Sequence, residues 1–154
     1  MAKNYKIYIG SDHAGFELKK VLTDFLIEKG YLVSDLGPQV FDFEDDYPIY
    51  IRPVADAVAH DAINKTDSRG IIIGGSGQGE AMCANRIKGV RAAVYYGVTL
   101  DIVTLSRKHN DSNILSLGAR FINNEQAKTA VSIWLKTEFS GDERHLRRIV
   151  ELDE

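Results

Sequence analysis

Strands alternating with helices along the whole chain predict an α/β three-layer sandwich built on a five-stranded, mostly parallel sheet. The opening reads as strand, helix, strand, and such a crossover requires parallel pairing. Ile71-Ile72-Ile73, a run of β-branched residues, has the continuous apolar character of a strand buried on both faces. Directly after it, Gly74-Gly75-Ser76-Gly77-Gln78-Gly79-Glu80 turns the chain toward a helix, at the strand end where open α/β sheets present their ligand loops.

The first strand is predicted over residues 6–10. The helix after it carries Leu18, Val21, Leu22, Phe25 and Leu26, an apolar stripe repeating at three and four residues, and Gly30 stops it. Residues 31–34 resume as the second strand. The loop over 36–48 holds Asp42, Glu44, Asp45 and Asp46, but no calcium-loop spacing and no nearby histidine to complete a transition-metal set. It is expected to be a solvated acidic loop, and no metal ligand is assigned.

A helix is predicted from about residue 50 to 64, with Pro53 acceptable only in its first turn. His60, late in that helix, reads as a surface residue. After the glycine-rich turn, residues 81–88 form a short helix and 90–95 the fourth strand. Cys83, among Ala and Met, is expected to act as a small buried hydrophobe. A helix over 99–108 ends in His109-Asn110-Asp111-Ser112-Asn113 before a fifth strand over 114–117. Gly118-Ala119-Arg120 leaves that strand at the ligand edge. The last core helix carries Ala127, Ala130, Val131, Trp134 and Leu135, and Ser140-Gly141-Asp142 breaks the chain ahead of a basic tail.

The chain has 154 residues with 44% hydrophobic content, which fits one domain with a real core, and no repeat or linker divides it. No segment approaches the roughly 20 apolar residues of a membrane span. Met-Ala-Lys-Asn-Tyr-Lys runs straight into a strand without the pattern of an export signal, so a cytoplasmic protein is expected. One cysteine excludes an internal disulfide and a Cys-rich metal site. A net charge of −3 argues against a general nucleic-acid binder.

Several residues carry two readings from their type and position alone. The glycine-rich turn is either a tight strand-to-helix connection or an anion site made by exposed N–H groups, with Glu80 capping the helix or facing a ligand. Asp12 is a helix N-cap or a ligand-side carboxylate, and His13 a turn residue or a ligand contact. His109 either complements a helix C-terminus, with Asn110 leaving in a left-handed conformation, or belongs to a site. Arg144 and Arg148 share a helix face, as a solvated charge run or a phosphate grip.

Taken together, Gly10-Ser11-Asp12-His13-Ala14-Gly15, Asp46-Tyr47-Pro48, the 74–80 turn, Ser106-Arg107-Lys108-His109-Asn110-Asp111, Gly118-Ala119-Arg120 and Arg144-His145-Leu146-Arg147-Arg148 resemble the B-type ribose 5-phosphate isomerases. The wider family includes galactose 6-phosphate isomerase subunits. The resemblance spans essentially the whole chain, with the motifs in order. It implies a Rossmann-like sheet, a homodimer or dimer of dimers, and interconversion of ribose 5-phosphate and ribulose 5-phosphate without metal or cofactor.

By position, the resemblance makes Glu80 the base that moves a proton between adjacent sugar carbons through an enediolate, and His109 the residue that opens the furanose ring. Asp12 and Asn110 would hold sugar hydroxyls and assist ring opening. Ser76 and the amides of Gly75, Gly77, Gln78 and Gly79 would stabilise the enediolate oxygen, as an oxyanion hole does. His13, Arg120, Arg144 and Arg148 would bind the phosphate, and Tyr47 would line the sugar pocket. Some members of the family carry a cysteine base at the position of Gly74. This chain has none there, and Cys83, one turn into the helix, is no substitute.

Two alternatives keep their place beside this reading. A hexose 6-phosphate such as allose or galactose 6-phosphate would leave every role unchanged. A non-catalytic phosphosugar- or nucleotide-binding module would need the arginines but no base at the glycine turn.

Overall fold

The computed structural model describes residues 5–154, so Met1 to Asn4 of the expected leaderless start lie outside the described residues. The elements in chain order are β1 (Lys6–Ser11), α1 (Phe16–Glu28), β2 (Leu32–Asp35), α2 (Pro48–Ile63), β3 (Ser68–Gly74) and α3 (Gln78–Ala84). They continue with β4 (Ala92–Tyr95), α4 (Asp101–Asn110), β5 (Ile114–Gly118), α5 (Asn124–Lys136) and α6 (Glu143–Glu151). The five strands form one sheet in the order β2-β1-β3-β5-β4, and every pairing is parallel.

Strand periodicity divides the core into two layers. Ile7, Ile9, Ile71, Ile73, Leu115 and Leu117 face one side, where Leu18, Leu22 and Leu26 of α1 and Ala127, Val131 and Trp134 of α5 cover them. Tyr8, Ile72 and Ile114 face the other, under Ile51, Val54, Ala55 and Val58 of α2 and Ala84 of α3. The triple isoleucine is therefore split between both layers, as a strand buried on both faces requires. Among the described residues no helix is long and apolar enough to cross a membrane.

Several expected boundaries shift. α2 begins at Pro48 rather than near residue 50, because proline at the first helical position needs no N–H there. Pro53 consequently sits in the second turn, inside the helix, and the missing hydrogen bond falls on the carbonyl of Ile49, an exposed residue. α3 starts earlier than expected, at Gln78, because Gly77 takes a left-handed conformation (φ 78°) and lets the helix form directly from the turn. α4 extends through Asn110, and Asp111 rather than Asn110 is the left-handed C-cap (φ 44°). The closing turn of α4 is pinned from inside. Ser112 Oγ accepts from Trp134 Nε1 at 2.9 Å and lies 2.9 Å from Ser106 Oγ, while Arg107, almost fully buried, donates to the carbonyls of Ser112 and Thr137.

Candidate active site

β2 and β3 leave β1 on opposite sides, so the strand order reverses between β1 and β3, with α1 on one face of the sheet and α3 on the other. A crevice opens outside the carboxyl ends of two such strands. Asp12 follows β1 into it. Its backbone N–H donates to Ile73 O at 3.1 Å, and its Oδ1 accepts from Gly15 N at 3.0 Å. Asp12 thus does close the turn into α1, and its side chain at the same time reaches Glu80.

Glu80 is in the first turn of α3, yet only 4% exposed, and makes no side-chain cap. Its carboxylate folds back over Gly74. A Cβ built on Gly74 would overlap both carboxylate oxygens, so the absence of a side chain there is what admits Glu80. Burial raises the Glu80 pKa above its ordinary 4.5, partly opposed by a backbone hydrogen bond, and the neighbouring Asp12 raises it further by charge and by hydrogen bonding. Cys83, half-buried against the α2 side of the core, has its thiol pKa raised mainly by burial, which works against a thiolate.

This shift carries a stability consequence. Between the ordinary carboxylate value of 4.5 and the raised value in the fold, the native state holds more protons at Glu80 than the unfolded state does. Stability contributed by this site therefore falls as pH rises through that window, and above it the buried carboxylate opposes folding. Glu80→Gln is expected to melt at a higher temperature than the wild type at neutral pH. The difference should shrink toward zero below pH 4.5, as checked by thermal denaturation at several pH values.

The rest of this half of the site gathers around the glycine turn. Ser76 Oγ accepts from Gln78 N at 3.3 Å. The ring of Tyr47 lies over Gly79, where a Cβ would come within 2.9 Å of it, and the Arg120 guanidinium lies over Gly75. Arg120 N also donates to Gly75 O at 3.0 Å, which ties the end of β5 to the turn. His13 Nδ1 is 2.8 Å from Asp45 Oδ1. The solvated acidic loop expected from sequence is therefore corrected at Asp45, whose side chain is 3% exposed, while Asp42 and Glu44 remain exposed. His60 is on the surface, as its position in α2 suggested.

His109 and Asn110 lie elsewhere. α4 starts beyond the carboxyl end of β4 and runs back along the sheet, so its last turn reaches the opposite edge. There Arg91, the residue before β4, donates through Nε to Asn110 O at 2.9 Å. α6 packs beside it: Ser140 N donates to Lys108 O at 3.1 Å, and the His145 ring stacks on His109 at 4.5 Å between centroids and 18° between planes. Arg144 and Arg148 project from α6 into solvent, while His145 is buried between α6 and α4. Burial, then the charges of His109 and Arg144, lower the His145 pKa.

Within one chain, then, the predicted residues form two groups at opposite edges of the sheet. Asp12, His13, Tyr47, Ser76, Glu80, the turn amides and Arg120 are at one edge, and His109, Asn110, Arg144 and Arg148 at the other. The expectation that His13, Arg120, Arg144 and Arg148 converge is not met within a chain, because a strand of five residues spans roughly 17 Å and separates the edges. Two participants had no role in the sequence reading: Asp45, behind His13, and His145, against His109. His145 stood in the basic tail motif and Asp45 in the acidic loop, but only folding supplies the neighbour of each.

The family model described as Ribose/Galactose Isomerase matches residues 7–152. A ribose-5-phosphate isomerase B of Mycolicibacterium paratuberculosis is 37% identical over 144 residues, covering 94% of this chain and 87% of its own length. Among solved structures, ribose-5-phosphate isomerase B from Mycoplasma genitalium with bound ribulose-5-phosphate superposes with a TM-score of 0.89 at 40% identity, covering 96% of this chain and 93% of the other. The Thermotoga maritima counterpart gives a TM-score of 0.86 at 40% identity over 97% of both chains.

Proposed function

Because the chain belongs to the ribose/galactose isomerase family, we propose that it is an aldose–ketose isomerase interconverting ribose 5-phosphate and ribulose 5-phosphate. The observation that carries the reading is the Glu80 carboxylate, buried over Gly74 beside Asp12, with its pKa raised toward the range of a working general base. Glu80 takes the proton from the carbon next to the carbonyl of the open-chain sugar and returns it to the neighbouring carbon. The enediolate oxygen that carries the developing charge is held by the amides of Gly75, Gly77, Gln78 and Gly79 with Ser76. Tyr47, over Gly79, bounds the sugar. The direct test is turnover of ribose 5-phosphate followed by appearance of the ketose. No turnover would refute the assignment.

The proposal includes a homodimer in which the Glu80 edge of one subunit faces the His109 edge of its partner. His109 then opens the furanose ring beside Asn110, and Arg144 and Arg148 complete a phosphate site begun by His13 and Arg120. The separation of the two groups within one chain supports this arrangement, and two-fold symmetry makes two equal sites. Mixing inactive Glu80→Gln with inactive His109→Ala, after subunit exchange shown by native mass spectrometry, should restore about a quarter of wild-type activity. That figure follows because half the dimers are mixed and each mixed dimer holds one undamaged site. No restoration after proven exchange would place both residues in one subunit's site.

A further inference from the structure

Asp45 stands out in the loop before α2. Neighbouring Asp42 and Glu44 are exposed, yet the Asp45 side chain is 3% exposed, pairs with His13 Nδ1 at 2.8 Å and leaves its second oxygen, Oδ2, buried without a hydrogen-bond partner. Burying a carboxylate with one oxygen unsatisfied is unfavourable unless a cation lies against it. The Phe41 ring packs beside His13, meeting its ring edge-on at 6.4 Å between centroids and the Phe16 ring at 5.7 Å.

We infer that Asp45 is a positioning residue for phosphate recognition, holding His13 with a hydrogen on Nδ1 and its Nε2 turned to the phosphate of the substrate. This rests on the proposed isomerase reading, in which His13 contacts the phosphate. The chemistry is one of donors and acceptors. An ionised carboxylate only accepts, so Nδ1 must carry a hydrogen, and Nε2 can then donate to an anion only when the ring holds both protons. With Asp45 on Nδ1 and a phosphate on Nε2, a doubly protonated ring makes charge-assisted hydrogen bonds on both sides, which a neutral ring cannot match. The same hydrogen bond anchors the loop that carries Tyr47 two residues later, so one contact orders both a phosphate ligand and a wall of the sugar pocket. A purely structural latch would share the geometry but have no reason to change phosphate affinity through His13.

The test combines a spectroscopic and a kinetic measurement on the full-length protein. In the wild type, nitrogen-15 spectra of the histidine rings should show His13 protonated at Nδ1, and at both nitrogens when inorganic phosphate is saturating. Asp45→Asn should raise KM for ribose 5-phosphate and the inhibition constant of inorganic phosphate about tenfold, as expected for loss of a charge-assisted contact, with kcat changed less than about twofold. Asp45→Asn combined with His13→Gln should bind no more weakly than His13→Gln alone. Additive losses, a drop in kcat with KM unchanged, or an Nδ1 without hydrogen in the wild type would each overturn the inference. Should the wild type not turn over ribose 5-phosphate, the isomerase reading falls by itself. The ring spectra with and without inorganic phosphate still decide the Asp45–His13 relation, and need no variant to fold.

Discussion

Glu80→Gln is expected to lower kcat by about 10² to 10⁴-fold, the usual contribution of a general base, with KM for ribose 5-phosphate little changed. Glutamine preserves the shape that packs over Gly74 and beside Asp12, so the loss isolates the proton-accepting function. The wild type should also exchange the hydrogen on the carbon next to the carbonyl with solvent, whereas Glu80→Gln should do so at the same reduced rate as turnover. Cys83→Ala should stay active, because that thiol is half-buried and disfavoured as a thiolate. Retention of activity in Glu80→Gln together with its loss in Cys83→Ala would reverse the assignment.

Gly74→Ala should be almost as damaging to activity while sparing the fold. The added Cβ falls on the Glu80 carboxylate, the far end of a flexible side chain, so the carboxylate can swing away without moving the backbone of β3 or α3. Displacement of a catalytic group by even about 1 Å can cost about 10²-fold in rate, so a loss of that order in kcat is expected. Moving the carboxylate toward water should also relieve part of its burial. The melting temperature should accordingly hold or rise, measured by calorimetry on the same preparation used for initial rates. A variant that keeps full activity would mean that Glu80 works from another position. The overlap also gives a physical reason for the division implied by the resemblance: a cysteine at position 74 and a glutamate at position 80 would compete for one volume.

Legibility from sequence followed the range of the interaction. The triple isoleucine, the α1 stripe at Leu18, Leu22 and Leu26 and the glycine turn announced themselves because backbone preference and burial periodicity act over a few residues. Boundaries were less legible where a cap decides them. Gly77 and Pro48 start helices earlier than the apolar pattern does, and Asp111, without glycine's freedom, still takes the left-handed cap with Arg107 paired to its carboxylate at 2.8 Å.

From its residues alone the chain determines an alternating α/β order, a strand buried on both faces, and a set of motifs specific enough to point to a sugar-phosphate isomerase. Tertiary structure decided which of those residues meet. It turned Glu80 back onto Gly74 and beside Asp12, and it buried Asp45 behind His13 while its acidic neighbours stayed in water. It also sent His109 and the α6 arginines to the edge opposite Glu80. The reason is physical: hydrophobic periodicity is local and survives in one dimension, whereas the burial that shifts a carboxylate or pairs it with a distant histidine depends on contacts between residues far apart in the chain, which exist only once the sheet has brought those segments together.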